Sequence, residues 1–283
     1  MRDDFAVFIL SHGRAKNVKT YKTLKNQGYT GKIYIVIDDE DEQEQQYYSE
    51  YKDQVYKFCK QDYINITDVM CCEEFRKVVV YARNACWDIG KSVGVDYFCV
   101  LDDDYTNFEC RYIEGRKLKT YKIKDLDYVF NAFIDFLVKS NSITVCMAQG
   151  GDFIGGAKSG TFSKKLLRKA MNVWFMRTDR PFKFMGRINE DTNMYVTYGQ
   201  QGKLMFTATE ADVVQTQTQK QKGGLTDVYL NDGTYVKSFF SVMAAPSCVK
   251  VSDMGDKHIR MHHLISWDNC TPMIINEKYK KGD

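Results

Sequence analysis

The sequence predicts an α/β fold: an open mixed sheet flanked by helices, with a regular first half and a less regular second. Three observations carry this prediction. Apolar, β-branched runs alternate with stretches of helical period through residue 150. The runs end in polar clusters, as strands do when their carboxyl ends face a ligand. Hydrophobic content of 44% and charged content of 27% are those of an ordinary globular chain, and 283 residues suffice for a sizeable core.

In chain order, "FAVFIL" (5–10) is the first strand, followed by the polar turn "SHGRAKN". Val18, Tyr21 and Leu24 recur at helical spacing over 16–27, and Gly28 supplies the stop. "KIYIVID" (32–38) completes a parallel strand–helix–strand unit. An acidic, solvated helix is expected over 39–54 and a further helix over 73–92; "YFCVL" (97–101) is the next buried strand. Leu126, Val129, Phe130, Phe133, Phe136 and Leu137 mark a helix over 125–140, and "SITVCMAQGG" a strand ending in glycine. The second half reads as a basic helix near 163–175 and short strands near 203–210, 234–241 and 247–251. The polar tract "QTQTQKQKGG" (215–224) reads as a loop.

The acids ahead of the first apolar run make the N-terminus a poor secretory signal, and no run approaches the ~20 apolar residues of a membrane helix. Nine cysteines, an odd count without a CxxC pair, point to reduced thiols and a cytoplasmic setting. A net charge of +3 is too small to diagnose a nucleic-acid binder by itself.

Four polar clusters fall at predicted strand ends: Ser11–Arg14, Asp38–Asp39, Asp102–Asp104 and Gln149–Gly151. In "YFCVLDDDY" three adjacent carboxylates repel one another unless a cation neutralises them. Mg²⁺ and Mn²⁺ bind through one or two carboxylates plus substrate phosphates, so Asp102 and Asp104 are candidate ligands for a cation that faces a nucleotide diphosphate. The plainer reading of the triplet is an acidic turn that caps a helix.

An Asp-x-Asp after a buried strand, preceded by a helix bearing Arg83-Asn84, resembles the nucleotide-sugar glycosyltransferases of the GT-A fold. The segments "ILSHGRA", "VLDDDY", "INEDT" and "KSFFSVMAAPSCVK" more closely resemble the TET/JBP-associated glycosyltransferases of phages and kinetoplastids. That family glycosylates hydroxymethylated pyrimidines in DNA and includes base J glucosyltransferase. The resemblance covers nearly the whole chain. It implies a single GT-A-like domain, with residues 1–150 binding the nucleotide-sugar and 151–283 the acceptor. It also implies a UDP-sugar donor, the glucose nucleotide by default, and Mn²⁺ or Mg²⁺.

The resemblance assigns roles by position. Ser11, His12, Arg14, Arg83 and Asn84 would hold the donor, Asp38 or Asp39 would read the uracil edge, and Asp103 would contact ribose or sugar. Glycine-rich 148–160 would close over the sugar at Gly150 and Gly151, with Asp152 toward its hydroxyls; a plain flexible loop is the alternative. In "GRINEDTNMY" an inverting transfer takes Asp191 as the base for the acceptor hydroxyl, with Glu190 as second choice or support. A helix cap at Asn189 or Asp191 is compatible with that role. Of the late histidines His258, His262 and His263, either His262 or His263 would join the metal.

Residues 162–187 hold eight basic side chains, Lys164, Lys165, Arg168, Lys169, Arg177, Arg180, Lys183 and Arg187, against a single acid. Trp174, Phe175, Phe182 and Phe184 are interleaved with them. Phosphate neutralisation with base stacking needs this mixture, although a solvated helix with core aromatics has the same composition. The basic tail "EKYKKGD" and the glutamine-rich tract would add phosphate contacts. Two other readings compete: a GT-A enzyme acting on a glycan, lipid or protein, and a nucleotidyltransferase. The latter normally shows a Gly-rich, Lys-bearing loop after the first strand, where this chain has one glycine.

Overall fold

The computed structural model describes residues 1–71, 75–158, 169–215, 226–254 and 259–270, with backbone alone for 226–234 and 260. Its strands are β1 (Phe5–Leu10), β2 (Lys32–Asp38), β3 (Val55–Phe58), β4 (Tyr97–Asp102), β5 (Tyr105–Glu114), β6 (Lys117–Lys122), β7 (Thr144–Gln149), β8 (Trp174–Arg177), β9 (Met205–Gln215), β10 (Val249–Met254) and β11 (Arg260–Ile265). The helices are α1 (Lys19–Asn26), α2 (Glu44–Tyr51), α3 (Lys60–Ile64), α4 (Val80–Ser92), α5 (Leu126–Ser140), α6 (Glu190–Gln200), α7 (Thr226–Ala244) and α8 (Trp267–Cys270).

Among the described residues nine strands form one sheet in the order β3-β2-β1-β4-β8-β7-β9-β5-β6, and β10–β11 is a separate hairpin. β1, β2, β3 and β4 are parallel, whereas β8 runs antiparallel to both β4 and β7. Strands from either side of residue 150 therefore share the sheet. The ends of β1, β2, β4 and β7 lie along one edge, and all four polar clusters follow them.

Helices cover both faces of the sheet, which is why β1 is apolar at every position. Ala6, Phe8, Phe98, Val100 and Trp174 pack with Trp87 of α4 on one side. Phe5, Val7, Ile9, Cys99, Leu101 and Phe175 pack with Phe130 and Phe133 of α5 on the other. The Phe133 and Phe175 rings lie 4.8 Å apart. α1 ends where Gly28 takes φ +84°; a Cβ there would stand 2.6 Å from the Lys124 carbonyl. The buried Gln27 side chain donates to the carbonyls of Phe108 and Ile123 and accepts from Phe108 N–H, fastening α1 to the β5–β6 hairpin.

Two expected elements are corrected. Residues 234–241 belong to helix α7, not a strand. Its buried positions include small Ser238 and Ser241, whereas Tyr235, Phe239 and Met243 are exposed, so the apolar pattern misreports its period. Residues 174–177 are strand β8, not the end of a basic helix, because their alternating side chains fill both cores. The β5–β6 hairpin and the four-residue β3 lie outside the strands expected from the sequence. No helix among the described residues is long and apolar enough to cross a membrane. Every described cysteine is a free thiol.

Candidate active site

The turn after β4 is clamped by α1. Thr20 Oγ1 donates to the Asp102 carbonyl at 2.6 Å and accepts Tyr105 N–H at 2.9 Å, while Thr20 N–H donates to the Asp103 carbonyl at 3.2 Å. The buried Asp103 carboxylate accepts from Ser11 Oγ at 2.7 Å and Arg14 Nη1 at 2.8 Å, tying the first turn to the third. Tyr47 supports the same turn through Ser11 at 2.7 Å and Arg14 N–H at 2.9 Å. Both oxygens of Asp103 are thus engaged within the protein, so its position clamps two loops together.

A cleft of about 210 Å³ opens beside this clamp, lined in part by His12, Gly13, Asp41, Lys60 and Lys77. Asp38 pairs with His12 Nδ1 at 2.9 Å and with the buried Lys60 ammonium at 2.8 Å. Burial pushes the Asp38 carboxyl up, but the His12 and Lys60 hydrogen bonds prevail and hold it at about 2. The bond to Asp38 in turn raises His12 above its ordinary value. Asp39 accepts Lys60 N–H at 2.8 Å. Asp41 receives the N–H groups of Gly13 and Gln43, each at 2.8 Å.

On the acceptor side, Glu190 and Asp191 open α6, where negative charge is favoured. Asn189 precedes them in the left-handed region at φ 55°, which Asn tolerates better than most residues. Rather than capping the helix, its amide donates to the Lys237 carbonyl at 2.8 Å and to Ser241 at 3.1 Å on α7. Glu190 is buried and pairs with Arg83 at 3.0 Å. Burial pushes its carboxyl up to about 7 against the pull of Arg83. Asp191 is half-buried and accepts Thr192 N–H at 2.6 Å. His263 approaches the Asn189 amide at 3.4 Å, and burial followed by the nearby His262 lowers its imidazole to about 4, so it is neutral at physiological pH.

Arg83 joins the two sides. Its guanidinium stacks on Trp174 at 4.2 Å and reaches Asp102 at 3.6 Å besides Glu190. Its Nε and Nη1 are buried without a hydrogen-bond partner among the described residues, as is the hydroxyl of Tyr105.

The residues at the third turn suit a divalent cation. They are hard oxygen donors in a setting short of positive charge: burial, then Asp102 and Asp103, lifts Asp104 to about 7. Among the described residues no three His, Cys, Asp or Glu side chains converge as a complete cage. A cation there would rely on substrate oxygens. His262 accepts the N–H of His263 at 2.9 Å, and His263 stands near Asn189 and Asp191.

The remaining expected residues scatter. Asn84 binds Thr67 Oγ1 and the backbone of Phe184, so it is a tether between elements. Gly150 and Gly151 face open space, while Asp152 accepts Gln149 N–H and pairs with Lys169. Trp174, Phe175, Phe182 and Phe184 are buried core, which corrects the expectation that they stack on bases. Arg177 pairs with Asp179 beside Tyr97, at the amino end of β4, and Arg180 donates to the Asn141 carbonyl. Both therefore stand at the edge opposite Asp102, away from the expected acceptor surface, because β8 runs antiparallel. Lys183 donates to the Ile66 carbonyl, and Arg187 stacks between Phe75 and Phe240. Lys164, Lys165, Arg168, His258, the tract 216–224 and the basic tail lie outside the described residues. Thr20, Tyr47 and Lys60 were missed: each lies on a helix, and nothing in the sequence marks them as facing the strand ends.

Residues 5–224 match the sequence model of the TET-associated glycosyltransferases. Comparison with curated proteins returned no match. Among solved structures, a mannosyltransferase from Pyrobaculum calidifontis in complex with GDP-Man and Mn²⁺ is 12% identical, with a TM-score of 0.51 over 86% of this chain and 65% of that one. S. aureus TarS 1–349 in complex with UDP-GlcNAc is 13% identical, with a TM-score of 0.44 over 76% and 59%. A mycobacterial protein is 9% identical, with a TM-score of 0.47 over 93% and 84%. The chain spans 36% to 60% of the TarS chains it matches. At 12% identity the likeness to the mannosyltransferase speaks to the fold alone, a mixed α/β sheet flanked by helices. The family match spans most of the sequence, and the fold accords with it: the chain belongs to the TET-associated glycosyltransferase family.

Proposed function

We propose that the chain transfers a hexosyl group, with inversion, from a UDP-sugar to the hydroxymethyl group of a modified pyrimidine in DNA, glucose being the donor sugar by the family resemblance. The observation that carries this reading is the meeting of the two acidic motifs at one sheet edge, with Arg83 between Asp102 and Glu190. In this reading residues 1–150 serve the donor and 151–283 the acceptor. The cleft beside His12 takes the nucleobase, and Ser11 and Arg14 keep its floor in place through Asp103.

Asp102 and Asp104 would hold Mn²⁺ or Mg²⁺, which supplies positive charge opposite the donor diphosphate. Asp191 accepts the proton of the acceptor hydroxyl as its oxygen bonds to the anomeric carbon and the bond to the diphosphate breaks, releasing UDP. Glu190, buried and paired, supports that turn, and Asp191 is the more accessible of the two. A base within a duplex must be flipped out to reach this edge, or be single-stranded. DNA as acceptor rests on the family resemblance.

The test incubates the protein with Mn²⁺, a panel of UDP-sugars and hydroxymethylated DNA, then analyses the nucleosides by mass spectrometry. A sugar-bearing pyrimidine is expected. Release of UDP with no modified nucleoside would move the acceptor to a glycan, lipid or protein.

A further inference from the structure

Arg83 has an unusual position for a donor ligand. It is buried under Trp174 and Phe184, whose rings lie 4.2 and 5.5 Å from the guanidinium carbon, and its charge is shared between two carboxylates. The closer is Glu190 at 3.0 Å; Asp102 is at 3.6 Å. Two of its three nitrogens, Nε and Nη1, have no hydrogen-bond partner among the described residues. An arginine with an apolar platform and idle donors can shift its contact between two nearby anions at low cost, because no fixed hydrogen bonds have to break.

We infer that Arg83 is a positioning residue that couples the cation-binding turn to the catalytic turn: Asp102 and Glu190 compete for one guanidinium. Neutralisation of Asp102 from the solvent side leaves that guanidinium to Glu190. This fixes the first turn of α6, and with it Asp191, when the donor is in place. The inference rests on the donor reading above, since it needs a cation at Asp102.

The coupling gives opposite signs for two changes at the same ion pair. Glu190→Gln removes the competitor, so Arg83 settles on Asp102 and opposes the cation. Moving a unit charge from 3.6 Å to hydrogen-bonding distance at an effective dielectric of about 20 weakens cation affinity by about tenfold. Arg83→Met keeps the apolar contacts with Trp174 and Phe184 but removes the opposing charge. It strengthens cation affinity by about tenfold or more on the same scale while turnover falls.

The experiment titrates Mn²⁺ in the presence of UDP, reading free Mn²⁺ by electron paramagnetic resonance and heat by calorimetry. It uses wild type, Glu190→Gln, Arg83→Met and the double variant, each checked by circular dichroism. In the double variant the loss caused by Glu190→Gln should vanish, since no guanidinium remains to redirect. Arg83→Met leaves Glu190 buried without its counter-ion; should it not fold, the double variant, with neither charge, decides the matter against Glu190→Gln. A purely structural Arg83 would shift both single variants in the same direction or neither, and that result overturns the coupling. Wild type without any Mn²⁺-linked UDP binding would instead overturn the donor reading, and the coupling with it.

Discussion

At the donor edge, Asp38, Asp41 and Asp103 each have both carboxylate oxygens bound by protein groups at 3.0 Å or less. At the acceptor edge, among the described residues, Glu190 pairs with Arg83 alone and Asp191 receives only the N–H of its neighbour. The first arrangement resembles a folded core in polar form: every charge has a geometry, and its chief product is a cleft of fixed shape. The second leaves a carboxylate oxygen available at a helix start whose preceding residue sits in a left-handed conformation. Saturated carboxylates define where a ligand lies, and an unsaturated one can accept a proton from it.

The sharpest test of that division is Asp191→Asn. It should lower turnover by about 10²–10⁴-fold, the usual range for loss of a general base, while Mn²⁺-linked UDP binding stays within a factor of two or so of wild type. Nucleoside mass spectrometry and calorimetry supply the two readouts. Full transfer by this variant would erase the distinction between the two edges.

Next in size is Asp104→Asn. The Asp104 carboxyl is pushed up to about 7 by burial and by Asp102 and Asp103, so neutralising it relieves repulsion in the empty protein while removing a cation donor. UDP affinity in Mn²⁺ should fall by at least the roughly 10–100-fold that loss of even an outer metal partner costs, with stability unchanged or improved. Loss of stability with intact cation-linked binding would place Asp104 among the saturated carboxylates.

Thr20→Val probes the donor edge from behind. The change preserves shape but strips the turn of the hydroxyl that bonds the Asp102 carbonyl and Tyr105 N–H. Leaving two backbone groups, one buried and one part-buried, without partners costs about 2–6 kcal/mol. Urea unfolding should show that loss, and calorimetry a weaker response to Mn²⁺ with UDP. An unchanged midpoint would mean that α1 does not hold the aspartate turn.

The two edges also differ in how much of them the sequence reveals. β1, β2, β4 and β7 are buried on both faces, so each is a short apolar run whose polar end marks the site directly; Ser11, Asp38 and Asp102 are readable for that reason. Glu190 and Asp191 are readable only as an acidic pair. Nothing local shows that Arg83 of α4 meets them, because that meeting depends on β8 placing Trp174 beneath the guanidinium. β8 itself was hidden within a basic stretch whose aromatics belong to the core. Lys60 gave no signal either, since a buried lysine is identified only by the carboxylates around it. Helix α7 misled for the opposite reason: Tyr235, Phe239 and Met243 face outward, whereas small polar Ser238 and Ser241 are buried with Phe240.

The smallest effect tests whether the donor edge is held by charge. His12 and Asp38 are both ionised across a defined window. Asp38 titrates at about 2 in the folded chain against an ordinary 3.8, so its contribution is present above pH 3.8 and is lost as pH falls toward 2. His12 is raised above 6.5 by the hydrogen bond to Asp38, so its contribution is full below 6.5 and is lost as pH rises through the folded value. His263 acts in the other direction: neutral and lowered to about 4, it makes the protein less stable as pH falls from 6.5 toward 4. Wild-type stability alone therefore mixes two opposing slopes, and the informative quantity is the difference between wild type and His12→Ala. That difference should be largest near pH 5.5 and shrink by pH 8.5, as measured by urea unfolding at each pH. The His12 side chain is 44% exposed, so screening keeps the contribution below about 1 kcal/mol, and added salt should reduce it further. A difference that is constant with pH would mean that His12 acts through packing, and the donor edge would then owe its rigidity to Lys60 and the backbone donors instead.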